Sequence, residues 1–136
     1  MSDISLIIAE TKHIPFLCKV RREAARWTTT EDFKASWRYV HDDSYLSYIV
    51  LNDEQPVGYV VLEDTGAEYD VSIAFKEGAR LKGVGSVALK EALRLHNDKP
   101  ATAHIHADNT ISRGFFMKQG FKPEHTLVTY HKEAGQ

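Results

Sequence analysis

Three strand-like segments follow one another between residues 45 and 75 with no helical pattern between them, and that run fixes the centre of the fold. Tyr45 to Leu51 and Val57 to Leu62 are rich in β-branched and aromatic residues. The turn chemistry of Asn52-Asp53-Glu54-Gln55-Pro56 between them predicts a hairpin. Asp64-Thr65-Gly66 makes the next turn. Glu68 to Phe75 then sets Tyr69, Val71, Ile73 and Phe75 on one face against Glu68, Asp70, Ser72 and Ala74 on the other. Strands joined by turns this short run antiparallel, so the remaining segments have to pack around an antiparallel centre.

Those segments are helical before the run and mixed after it. Ser5 to Ala9 predicts a first strand. Pro15 suits a first helical turn, with Leu17, Val20 and Ala24 on one apolar stripe and Arg21, Arg22 and Glu23 away from it. Thr28 with Glu31 has the spacing of a capping box, and Phe33, Trp37 and Val40 continue a second helix. Beyond Gly78, Val84, Ala88, Ala92 and Leu95 mark a helix that ends near Asn97, before Pro100. Ala101 to Ala107 alternates as a strand, Thr110 to Gln119 is a short helix stopped by Gly120, and Leu127 to His131 is a last strand, with a short extra one allowed at Phe121 to His125. The order β-α-α-β-β-β-α-β-α-β is an α/β (α+β) layout, a mixed and mostly antiparallel sheet flanked by helices. At 136 residues and 43% hydrophobic the chain suits one domain over residues 1–136, too short for paired dinucleotide-binding halves.

Composition removes several classes. Seventeen basic against nineteen acidic residues give a net charge of −2, so no global positive field draws the chain to nucleic acid or an anionic membrane. No apolar stretch approaches a membrane helix, and the first residues do not have the pattern of a secretory leader, which together predict a cytoplasmic protein. Cys18 is the only cysteine, so an internal disulfide and a Cys-based zinc site are excluded; its apolar-periodic setting reads as packing. His104 and His106 share a predicted strand face, but no further ligands stand at matched spacing, so no metal is expected and local hydrogen bonding or substrate contact is the favoured role.

Arg80-Leu81-Lys82-Gly83-Val84-Gly85-Ser86 lies between a predicted strand and a predicted helix. Its glycines admit close backbone approach, the helix brings its positive end, and Arg80 and Lys82 add cations, a combination suited to a pyrophosphate. An ordinary tight turn with solvated cations has the same letters. Neither a Walker A sequence nor a βαβ dinucleotide fingerprint fits this position.

The heptapeptide resembles the Arg/Gln-x-x-Gly-x-Gly/Ala segment of the GNAT acyltransferases. Asn109 to Phe121, with Phe115-Phe116-Met117-Lys118-Gln119-Gly120-Phe121, resembles their later Asn…Phe-Tyr-x-x-x-Gly-Phe segment. The order of elements from Ser5 to His131 agrees with that fold. The resemblance implies an acetyl-CoA-dependent N-acetyltransferase acting on a primary amine of a small molecule, peptide or protein, with coenzyme A as co-substrate and a homodimer allowed. It places the pantetheine arm along Ile73, Ala74 and Phe75, the pyrophosphate at Arg80, Leu81, Lys82, Gly83, Val84, Gly85 and Ser86, and the rest of the cofactor near Asn109, Phe115, Phe116 and Lys118. Asn109 also has the chemistry of a helix cap.

Acyl transfer needs a neutral amine, and an amine of pKa about 10 is mostly protonated at neutral pH, so a base helps. Glu68 and Asp70 share a strand face near the implied site and are the candidate bases. The family's usual acid is a tyrosine where this chain has Phe116. That departure keeps open a second reading, a CoA-binding regulatory module with weak catalysis.

Overall fold

The structure is a computed structural model that describes residues 3–24, 32–79, 83–124 and 132. Its elements are β1 (Ile4–Ile8), α1 (Ile14–Glu23) after a 3-10 turn over Thr11–His13, α2 (Asp32–His41), β2 (Tyr45–Asn52), β3 (Gln55–Asp64), β4 (Tyr69–Phe75), α3 (Val84–Leu95), β5 (Ala101–Thr102) and α4 (Thr110–Lys118). The sheet order is β1-β2-β3-β4-β5; every pairing is antiparallel except β4 with β5, which is parallel. The expected last strand, Leu127 to His131, and the Thr28/Glu31 cap lie outside the described residues.

The β2–β3 hairpin is tighter than the sequence suggests. Its turn is only Asp53-Glu54, both in the left-handed region (φ 51° and 68°), which matches the twist of the flanking strands. Asp53 is fixed from outside by a reciprocal pair of bonds: its N–H donates to the Asp3 carbonyl (2.8 Å) and its Oδ1 accepts the Asp3 N–H (2.8 Å). Pro56 is tolerated in β3 because the register shifts opposite it, between Val50 and Leu51.

The period-two alternation of these strands sends side chains into two cores. One face puts Ile49, Tyr59 and Val61 against Leu17 and Val20 of α1. The other puts Val50, Val60, Leu62 and Val71 against Val84, Ala88, Leu89 and Ala92 of α3 and Phe116 of α4. The helices differ from the sequence reading in which residues face inward. In α2 the buried pair is Ala35 and Ser36, whose small size lets the helix approach closely, while Phe33 and Trp37 stack on each other outside (63% and 47% exposed). In α3 Leu89 is buried in place of Leu95, which lies at the exposed end. Arg21, expected away from the core, is 5% exposed: it follows Leu17 by one helical turn and meets the Tyr39 hydroxyl of α2.

Candidate active site

The sheet opens where β4 leaves β5. Their parallel pairing covers Tyr69↔Ala101 and Asp70↔Thr102 only, so the predicted strand over Ala101 to Ala107 ends after two residues and 103–106 is irregular. The junction is fastened at one end. The Tyr69 N–H donates to the Pro100 carbonyl (2.9 Å), and the Tyr69 hydroxyl donates to Asp98 Oδ1 (2.8 Å). That bond, with burial, pushes the Tyr69 phenol up to about 12 and holds the Asp98 carboxyl below its ordinary value.

Beyond the junction β4 has a partner on one side only. Tyr69 N–H points to the β5 side, and Lys76 N–H donates to Val57 of β3 (2.8 Å). Backbone groups alternate along a strand, so odd-numbered residues of β4 face the gap and even-numbered ones face β3. Ile73, past the last paired residues, turns its N–H and C=O into the gap. A cavity of about 200 Å³ fills this space. Val71, Ile73 and Phe116 line it from the α3/α4 face, and Tyr39, Tyr59 and Arg21 from the α1/α2 face, so residues of both sides of the sheet meet at this slot between β4 and 103–106.

On the α3/α4 side the site is made of backbone and close packing. Gly83 is the N-cap of α3 in the left-handed region (φ 72°), and the first turn of α3 contains no acidic residue, so its N–H groups present a positive end to an anion. A Cβ on Gly85 would stand 3.1 Å from the Phe115 ring and 3.2 Å from the Phe75 ring, which makes this glycine a point of close approach between α3, β4 and α4. Phe75 itself crosses β3 at Gly58, where a Cβ would collide with it. Val84 is buried in the core, and Ser86 Oγ donates to Gln119 Oε1 (3.2 Å). Arg80, Leu81 and Lys82 lie outside the described residues.

Asn109 does both things the sequence allowed. Its Oδ1 caps α4 by accepting the Ser112 N–H (3.2 Å), and the residue lines the cavity. Phe116 is buried between Phe115 and Phe121, with ring centroids 5.2 and 5.0 Å away and near-perpendicular planes, and it forms part of the cavity wall. Lys118 is exposed in the last turn of α4 and does not line the cavity.

The two candidate carboxylates separate. Glu68 precedes β4 and sits in the turn, its carbonyl accepting both the Thr65 N–H (3.0 Å) and hydroxyl (2.9 Å); it does not line the cavity. Asp70, with a side chain 26% exposed, is also outside the lining but lies 3.0 Å from His104 Nδ1, and His104 does line it. An ionised carboxylate only accepts, so Asp70 holds the hydrogen on Nδ1 and leaves Nε2 as the acceptor nitrogen. The sequence reading set a metal aside for His104 and His106 in favour of local hydrogen bonding or substrate contact, without naming Asp70 as the partner. The Asp70 contact left no signal in the sequence, because His104 lies in the irregular 103–106 segment beyond the two-residue pairing that sets it beside Asp70. Among the described residues no three His, Cys, Asp or Glu side chains gather to hold a metal.

A strand edge left free beside a helix N-terminus with no side-chain cap suits an extended ligand that carries an anionic group. The chain belongs to the acetyltransferase (GNAT) family, whose model matches residues 12–121, and it is an acetyl-CoA-dependent N-acetyltransferase. Solved structures of similar fold include an N-acetyltransferase from Thermoplasma acidophilum in complex with coenzyme A (TM-score 0.74, 20% identity, 91% of this chain and 92% of that one). A spermidine N-acetyltransferase from Vibrio cholerae with CoA and spermine is similar too (TM-score 0.75, 16% identity, 98% and 89%). So is an aminoglycoside N-acetyltransferase with CoA (TM-score 0.74, 15% identity, 98% and 97%). No curated protein sequence matches the chain significantly. Among the described residues no helix is long and apolar enough to cross a membrane.

Proposed function

We propose that the chain transfers an acetyl group to a primary amine by direct attack in the slot between β4 and residues 103–106, with both substrates bound together. The observation that carries this reading is the turn of the Ile73 N–H and C=O into a cavity lined by residues from both faces of the sheet. Acetyl-CoA, once bound, supplies an electrophilic thioester carbonyl and a thiol of pKa about 8.5 as leaving group, taking cysteine as the model.

Ile73 backbone groups hold the pantetheine arm as an added strand and orient it, and Gly83 to Ser86 receive the pyrophosphate at the positive end of α3. Phe75 and Phe115, packed on Gly85, keep that end of α3 against β4. Arg80, Leu81, Lys82, Asn109, Phe116 and Lys118 complete the cofactor side by the family's pattern. From the α1/α2 side, His104 Nε2 takes a proton from the bound ammonium and Asp70 steadies the imidazolium through Nδ1; the neutral amine then attacks the thioester carbonyl, the C–S bond breaks, and CoA leaves as a thiolate that takes up the second amine proton. Asp70 is thus a positioning residue, and Glu68 has no place in the step. A cytoplasmic setting and a single domain over 1–136 complete the proposal, the former supported by the lone buried Cys18.

The test is a thiol-release screen with acetyl-CoA over amines, amino acids and peptides, with thermal shift alongside. Turnover of an amine with a cofactor-dependent rise in Tm is the expected result. Phe116, standing where the family has a tyrosine, favours one other reading, a CoA-binding regulatory module; a Tm rise without turnover of any amine selects it.

A further inference from the structure

Acetyl transfer leaves negative charge on the departing sulfur, and the described lining of the slot has one hydroxyl on the α3/α4 side. Asn109, Ser112 and Phe116 all line the cavity, and their spacing along the chain puts them on one stripe of α4. Phe116 has no polar hydrogen to offer a sulfur. Asn109 Oδ1 is occupied by the Ser112 N–H (3.2 Å). The Ser112 hydroxyl meets no other polar group among the described residues, so its hydrogen is available to a ligand in the slot. Helical side chains lean toward the helix N-terminus, so the Phe116 ring leans toward the turn that holds Ser112.

The other hydroxyls in the described lining belong to the opposite face. Tyr39 and Tyr59 pack in the α1/α2 core, and Ser72 shares its strand face with Ala74, which packs there too. That is the side from which the amine comes. Nitrogen and sulfur are separate substituents of the acyl carbon, so a sulfur on an arm held by Ile73 departs toward α4. Asp108 and Arg113 flank the α4 stripe, but both are exposed and outside the lining, so no charged side chain of α4 competes there.

We propose that Ser112 is a further catalytic residue, whose hydroxyl donates a hydrogen bond to the CoA sulfur as the C–S bond breaks. The electron pair of that bond stays on sulfur, the serine hydrogen stays on Oγ, and the thiolate is protonated by the second amine proton as described above. A neutral divalent sulfur is a weak acceptor and a charged one a strong acceptor, so the hydrogen bond strengthens as the reaction proceeds and favours the departing state over the bound ground state. The inference rests on the acetyl-transfer reading and deepens its leaving-group step.

CoA itself tests this hydrogen bond without an amine, because its thiolate is the species the step produces. The full chain is titrated with CoA, acetyl-CoA and desulfo-CoA, in which hydrogen replaces the thiol, at pH values on both sides of the free thiol value of about 8.5, taking cysteine as the model. A thiol whose bound pKa lies below its free one binds more tightly above that range than below it, so CoA should gain affinity as pH rises. Desulfo-CoA meets the same Arg21, Tyr39, Tyr59, His104 and His106 and subtracts the titration of the protein. A hydrogen bond to a charged acceptor predicts a net gain of about 10- to 100-fold. Ser112→Ala should lose about tenfold of that gain and keep its acetyl-CoA affinity within about twofold, the thioester sulfur being a weak acceptor. Alanine suits a helix interior and retains the backbone N–H that Asn109 accepts, so this variant keeps the fold. Ser112→Thr retains the hydroxyl and should retain the gain. No gain in the wild type, an equal gain in Ser112→Ala, or an equal loss of affinity for all three ligands in that variant each overturns the proposal and leaves acetyl-CoA binding standing. Failure of the wild type to bind acetyl-CoA overturns the acetyl-transfer reading itself, and this inference with it.

Discussion

The two sides of the slot are built from different materials. On the α3/α4 side the groups proposed to receive the cofactor are backbone: the Ile73 amide and carbonyl, the first N–H groups of α3, and glycines at 83 and 85. On the α1/α2 side they are side chains, Arg21, Tyr39, Tyr59 and His104, drawn from four segments of the chain. A site made of backbone tolerates wide change in sequence as long as its glycines stay, whereas one made of side chains can be re-specified by single substitutions. The first suits a constant co-substrate and the second a variable acceptor.

The sharpest way to break this contrast is to give the backbone side a side chain. Gly85→Glu drives a Cβ and a charge toward the Phe75 and Phe115 rings, so it should remove the acetyl-CoA-dependent stabilisation, about 2.7 kcal/mol at a hundredfold excess over Kd. A folded Gly85→Glu protein that still binds acetyl-CoA would mean the glycine only eases packing. The phosphate-site reading of this residue needs the amendment that its Cβ direction leads into rings, so the loss comes through displaced aromatic groups as much as through repulsion.

Next in size is the loss of the base on the side-chain wall. His104→Gln should lower kcat about 10²-fold near neutral pH and much less at high pH, where the amine deprotonates unaided. Asp70→Asn should act in the same direction but more weakly, and Glu68→Gln should leave the rate within about twofold on the scale of a general-base effect. A pH-rate profile of each variant distinguishes these outcomes from a loss of folding, which lowers the rate at every pH.

Phe116 lines the slot from the α3/α4 face, and its replacement should have a modest effect. A thiol leaves readily as thiolate, so acid assistance to it sits at or below the bottom of the usual range of about 10²- to 10⁴-fold; Phe116→Tyr should therefore change kcat by no more than about tenfold. A thousandfold gain would move the protein to the regulatory reading. The smallest effect belongs to the fastened end of the gap. Asp98 and Asp64 have carboxyl groups held below their ordinary values, by the Tyr69 hydroxyl and by Lys99 respectively. Their folded values lie below the unfolded ones, so the stability they add is present above the unfolded value and is lost as pH falls through the folded value, below about pH 4. Tyr69→Phe should make the acid limb of a Tm-against-pH curve slightly shallower, while activity near neutral pH is retained.

How much of this was legible in the sequence follows the same division. The element order as far as α4 and the place of the glycine turn ahead of α3 were readable because each rests on local signals: alternation in 69–75, Pro15 in a first helical turn, Gly83 ahead of Val84, Gly120 behind Lys118. The errors came where tertiary packing decides. Ala101 to Ala107 alternates like a strand, but only two residues find a partner because β4 diverges. Phe33 and Trp37 satisfied the helical period, yet the face selected against the rest of the molecule is the small one, Ala35 and Ser36. Arg21 read only as a residue off the apolar stripe of α1, and the fold shows the Tyr39 hydroxyl bonded to it and the cavity beside it. Asp70 was readable as chemistry but not as a partner of His104, since the register across a two-residue parallel pairing leaves no trace in the sequence.

The account rests on β4 offering its free edge to the cofactor, and amide exchange tests that residue by residue. Nuclear magnetic resonance should show the Ile73 amide, which faces the gap, slowed in exchange when acetyl-CoA is added, while the Ala74 amide, already directed at β3, keeps its rate. An Ile73 amide that is unaffected by bound acetyl-CoA, or protection that appears at Ala74 instead, would contradict the central claim.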